Sequence, residues 1–187
     1  MFKISFPLMI VIISVLWIAV RVVCFTAYKR FYPKREAALL LAYICIIVIA
    51  RFTLYPFEGV DEPLVFNAER IFPLNLNLIP LVNILKHDSA AKAALNICGN
   101  IAMFIPVGVI WPALFKRLST PLRAIASGAG FSLCIEIVQL PFRARVTDID
   151  DLILNTLGFA IGYLCYRSMS AIIKRKASAE PKQIKEK

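Results

Sequence analysis

Five runs of about twenty apolar residues divide this chain, and they constrain its fold more than any other feature. A bilayer core of about 30 Å is crossed by about 20 residues of helix. Lipid offers no hydrogen bonds, so a crossing segment must satisfy its own backbone, as helices do. The runs Ile4–Phe25, Ala37–Tyr55, Ala93–Leu114, Leu122–Leu140 and Asp151–Met169 have the required length. The first is too long for the apolar part of a signal peptide. Its basic flank is only Lys3 and no small-residue cleavage pattern follows, so it reads as a retained span. Composition agrees, with 59% hydrophobic and 18% charged residues, against about 25% charged in a soluble domain. The expected fold is all-α: a polytopic integral membrane helical bundle with five transmembrane helices.

The net charge of +10 raises the question of nucleic acid, and its placement answers it. The basic residues sit between apolar runs rather than along one face, which excludes a nucleic-acid partner and orients a membrane protein instead. Arg21, Lys29, Arg30, Lys34, Arg35, Lys116, Arg117, Arg123, Arg167 and the lysine-rich tail all fall on one side of a five-span chain. The other side receives most of the acids. Basic loops stay in the cytoplasm, so the N-terminus is expected outside and the C-terminus in the cytoplasm. The chain then divides into residues 1–35, an N-terminal helix with its basic loop; residues 36–169, the main transmembrane domain; and residues 170–187, a basic tail suited to anionic lipid. The expected location is the cytoplasmic membrane, with several passes.

Polar groups inside spans are costly and usually face a bundle interior or a wet cavity. Here they gather at one depth. Arg51 lies near the outer end of the second span. Asn96 and Asn100 lie one turn apart on the third, with Gly108 further along that side and Pro106 expected to kink the helix. Glu136 and Gln139 end the fourth, above Ser132 and Gly128. In the fifth, Asp148, Asp151, Asn155, Gly158 and Gly162 recur at steps of three and four, one helical face, whereas Asp150 is expected to point toward solvent or headgroups. Asp148 or Thr147 can cap this helix, and the glycines suit close helix packing. Glu136 needs a counter-charge or a proton, and Arg51, Arg143 and Arg145 are the available cations.

Other chemistries lack support. The five cysteines stand singly as small apolar residues, His87 is a lone surface histidine beside Asp88, and no HExxH, P-loop or dinucleotide fingerprint occurs. No metal site or cofactor is indicated. The segment Phe72–Lys86, "FPLNLNLIPLVNILK", is apolar but too short and too broken to span, so it should lie at the interface or fold back on the bundle.

"NLIPL" (Asn77–Leu81), "NICGNIAMFIPVG" (Asn96–Gly108), "SLCIEIVQ" (Ser132–Gln139) and "RVTDIDDLILNTLGFAIG" (Arg145–Gly162) resemble, in that order, the motifs of the VanZ-like family. Ala144 stands where a glycine is common and Leu81 where a phenylalanine is frequent. The resemblance implies a small polytopic protein of the bacterial cell envelope, in a family whose founding member is associated with resistance to teicoplanin. It implies no particular enzyme activity.

The reading favoured is a non-enzymatic protein whose outer-leaflet polar pocket binds an amphiphile, lowering susceptibility to teicoplanin or related lipoglycopeptides. Its expected partners are membrane lipid and either the glycopeptide antibiotic or a cell-wall precursor. The expected pocket comprises Arg51, Asn77, Asn96, Asn100, Glu136, Gln139, Arg145, Asp148, Asp151 and Asn155. The alternative is a membrane-embedded enzyme acting on a lipid-linked envelope substrate, with Glu136 as acid or base and Asp148 and Asp151 holding a divalent cation. Transport ranks third, since neither midplane polar groups nor a clear internal repeat is present.

Overall fold

In a computed structural model the chain is almost wholly helical; the residues it describes are 2–29, 32–55, 63–67, 76–77, 79–80, 89–142 and 147–179. Five long helices carry the fold: α1 (Phe6–Tyr28), α2 (Pro33–Leu54), α3 (Ala90–Leu114), α4 (Pro121–Gln139) and α5 (Ile149–Ala179). All are long and apolar enough to cross a membrane. The expected spans are therefore present. The last is longer than expected, because its polar end continues as helix to Ala179 instead of ending near Met169.

Local chemistry sets the helix starts. Ser5 caps α1 and Ser89 caps α3, each side chain accepting from a backbone N–H three residues on. Proline opens α1, α2 and α4 within the first two positions, where no N–H is needed. Within α3, Pro106 and Pro112 each remove a rung from the hydrogen-bond ladder without ending the helix.

Packing centres on α3 and α5, which make the most extensive contact, followed by α4 with α5 and α2 with α3. Glycine sets the approach of the first pair. A Cβ on Gly158 or Gly162 would collide with the carbonyl oxygens of Ile101 and Ile105, and one on Gly108 with the carbonyl of Phe159. The matched numbers rise together, so α3 and α5 run parallel, side by side. Phe104, Val107, Phe159 and Tyr163 fill the seam, with Ile49 of α2 and Ala124 of α4 against them. Helix α1 touches mainly α2, through Ser14 to Tyr43 (2.6 Å) and Trp17 against Tyr43. Its remaining face is apolar and exposed, as a lipid-facing helix should be.

Short strands close one end of the bundle. β1 (Phe2–Ile4) pairs antiparallel with β2 (Leu64–Phe66), and β3 (Leu76–Asn77) pairs parallel with β4 (Thr147–Asp148). Phe66 also bridges to Phe142 after α4, and Asn67 N–H donates to the Pro141 carbonyl at 2.9 Å. At the opposite end lie Lys34 and Arg35 of α2, Lys116 and Arg117 between α3 and α4, and Lys174, Arg175 and Lys176 of α5, with Arg21 bonded to Glu36. The bundle thus has a polar, strand-closed end and a basic end.

Candidate functional site

The polar end holds a cavity of about 750 Å³ bounded by α2, α3, α4 and α5. Asn96, Asn100, Glu136, Gln139, Asp151 and Asn155 line it, together with apolar Phe52, Leu95 and Met103. Leu95 (62% exposed) and Phe52 (38%) bring its apolar wall to the surface of the helix bundle, so the cavity is open rather than sealed in the core.

Hydrogen bonds join the elements around it. Asn100 Nδ2 donates to Asp151 Oδ1 at 2.6 Å, tying α3 to α5. Glu136 of α4 accepts the backbone N–H of Asp148 at 3.1 Å, just before α5 begins. Asp148 in turn accepts the N–H of Asp150 at 3.0 Å, so it caps the helix, and it accepts Asn77 Nδ2 at 3.1 Å. One turn below the entrance Asn155 Nδ2 donates to Ser132 Oγ at 3.0 Å, both side chains fully enclosed. Gln139 Nε2 donates to the Thr53 carbonyl at 2.5 Å and links α4 to α2.

The geometry sorts the expected residues. Asn96, Asn100, Glu136, Gln139, Asp151 and Asn155 share the cavity, and Asn77 and Asp148 stand in the hydrogen-bond network behind it. Arg51 does not join them. Its guanidinium lies 5.6 Å from the Phe6 ring centroid on α1, near Tyr55, away from the cavity lining. Burial raises the Tyr55 phenol above its ordinary pKa, against the opposing pull of Arg51, and its hydroxyl donates to the Ile4 carbonyl at 3.2 Å. Arg145, Arg143 and His87 lie outside the described residues, as does most of Phe72–Lys86. Of that segment, Leu76 and Asn77 fold back onto the start of α5.

One expectation is overturned. Asp150 does not face solvent but is 3% exposed. Asp151, Asn155, Gly158 and Gly162 do share the inward side of α5, but Asp148 precedes the helix as extended chain, and Asp150 lies in the first turn at the strand-closed end, its N–H bonded to Asp148. Lys92 and Thr53 also line the cavity and carried no clear sequence signal, being an ordinary first-turn lysine and one threonine in an apolar run. Among the described residues no group of three or more His, Cys, Asp or Glu side chains is placed to hold a metal ion.

A model of the VanZ/LLP1 family matches residues 39–173, which include α3, α4, most of α2, most of α5 and every described residue of the cavity. The chain belongs to the VanZ/LLP1 family. No curated protein and no solved structure matches it. With five span-length apolar helices, this VanZ/LLP1 protein is a polytopic membrane protein. The matched region begins after α1, so the family's shared part is the four-helix unit that surrounds the cavity.

Proposed function

We propose that the polar end is the outer, non-cytoplasmic end, and that its cavity binds a membrane amphiphile, lowering susceptibility to teicoplanin or a related lipoglycopeptide. One observation supports this reading: a single open cavity joins hydrogen-bonding side chains to an apolar wall with exposed residues, on a chain whose helices are long and apolar enough to cross a membrane. An amphiphile presents that pair of surfaces, and a soluble metabolite does not. The basic end suits the cytoplasm and the anionic leaflet of the bacterial cytoplasmic membrane.

The test compares teicoplanin and vancomycin susceptibility in cells with and without the gene, at matched protein levels. Raised tolerance of teicoplanin alone is expected, because vancomycin lacks the acyl chain, and Asp151→Asn or Asn100→Leu should weaken it. Equal susceptibility with and without the protein refutes the resistance reading. An enzyme acting on a lipid-linked substrate is the second reading, and it rests on Asp151 and Glu136 lying within one cavity. Against it, Glu136 already holds the entry to α5 through the Asp148 N–H, a structural duty.

A further inference from the structure

Several hydrogen bonds around the cavity commit amide and hydroxyl donors. Thr53 Oγ1 donates to the Ile49 carbonyl at 2.8 Å, Asn100 Nδ2 to Asp151, Asn155 Nδ2 to Ser132 and Gln139 Nε2 to the Thr53 carbonyl. Among the described residues three buried side-chain atoms have no hydrogen-bond partner: Arg51 Nη1, which lies outside the cavity lining, and two acceptors on lining residues, Gln139 Oε1 and Asn155 Oδ1, on side chains 4% and 1% exposed. The Gln139 assignment is secure on chemical grounds, because a carbonyl can only accept and so draws the NH₂ toward Thr53 and turns the oxygen away. Backbone adds to the imbalance. Ala102 lines the cavity, and Pro106 four residues on has no N–H to give its carbonyl.

A buried acceptor left unpaired costs about 1–3 kcal/mol, so native proteins seldom keep two on the lining of one cavity without a use. We propose that the cavity selects amphiphiles whose headgroup ends in hydrogen-bond donors, an ammonium or hydroxyl group, which the oxygens of Gln139 and Asn155 receive. The carboxylates of Glu136 and Asp151 add further acceptors to the lining, in which Lys92 is the one cation among the described residues. Terminal amide torsions are soft, so a small rotation suffices to meet an entering donor. This inference rests on the amphiphile-binding reading above and specifies the class of headgroup.

Three phospholipids with identical acyl chains and the same phosphodiester supply the test. Phosphatidylethanolamine ends in N–H donors, phosphatidylglycerol in O–H donors, and phosphatidylcholine has neither. Full-length protein is taken from nanodiscs containing all three in equal amounts, and retained lipid is counted by native mass spectrometry. We expect phosphatidylethanolamine or phosphatidylglycerol to be retained roughly tenfold over phosphatidylcholine, as two neutral hydrogen bonds imply; which of the two wins identifies ammonium or hydroxyl as the donor. Gln139→Met should reduce the preference several-fold, and Asn155→Leu should do the same independently. The wild-type comparison stands even if a variant misfolds. Equal retention of all three overturns the donor inference while leaving amphiphile binding intact. Retention of none overturns both.

Discussion

The glycine seam between α3 and α5 gives the sharpest quantitative test. Gly158 and Gly162 face backbone carbonyls of Ile101 and Ile105, and a Cβ at Gly162 would also stand 3.0 Å from the Gly108 Cα. Backbone cannot step aside as a flexible side chain can, so alanine at either position forces the helices apart. Overpacking of this kind costs about 1–3 kcal/mol. In a chain of this size that corresponds to a fall in melting temperature of roughly 2–4 °C per kcal/mol, so about 2–12 °C for one substitution. Gly130 supplies the control, because nothing lies within 4 Å of a Cβ placed there. The same chemical change at Gly130 should be neutral or stabilise by up to about 1 kcal/mol, through helix propensity alone. Thermal melts of the three alanine variants in one detergent decide the matter. If Gly158→Ala and Gly162→Ala melt with wild type, or if Gly130→Ala falls as far as they do, the close approach is wrong. The seam also sets the register of the site, since Asn100 and Asp151 meet eight residues before Gly108 and Phe159 on the same two helices. Gly158→Ala should therefore also weaken ligand retention.

Further outcomes follow from other contacts. Ser132→Ala leaves the enclosed Asn155 amide without its partner and should cost about 1–3 kcal/mol in denaturant or thermal unfolding, whereas Ser127→Ala, which loses only a part-buried bond to the Ala124 carbonyl, should cost less. Arg21→Ala breaks the pair with Glu36, both about a quarter exposed, and should shift stability by less than about 1 kcal/mol. Deleting residues 1–4 removes β1 and the acceptor of the Tyr55 hydroxyl, so amide exchange at 64–66 should quicken while exchange within α5 is unchanged. For orientation, a membrane-impermeant maleimide applied to intact cells should label Ser89→Cys at the polar end but not Ser119→Cys at the basic end. The reverse pattern refutes the assigned topology.

The spans were legible because lipid permits so few solutions: a long apolar run has to be helix, and each amide or carboxylate within it stands out. Asn96, Asn100, Glu136, Gln139, Asp151 and Asn155 were identified in this way, and they do share one cavity. Relations between elements were less visible. Periodicity gives a helix face but not which helix it meets, so the pairing of Asn155 with Ser132 and of Gln139 with Thr53 could not be read. Arg51 illustrates the same limit, because it lies in the last turn of α2 as its position implied but its guanidinium stands over the ring of Phe6 on α1. β1 and β2 lie some sixty residues apart and are three residues long, too short to carry a strand signature of their own. Asp150 was misplaced because the strand pair that closes this end of the bundle, beside the first turn of α5, could not be read from periodicity.

Glu136 lines the cavity and also fastens the main chain where α5 begins. A guest that competes for this carboxylate must loosen the fastening, so occupancy and the hold on the first residues of α5 are thermodynamically linked. The linkage is reciprocal. Any change that tightens the hold of Glu136 on the Asp148 main chain, even one remote from the guest, will alter affinity for the proposed amphiphile.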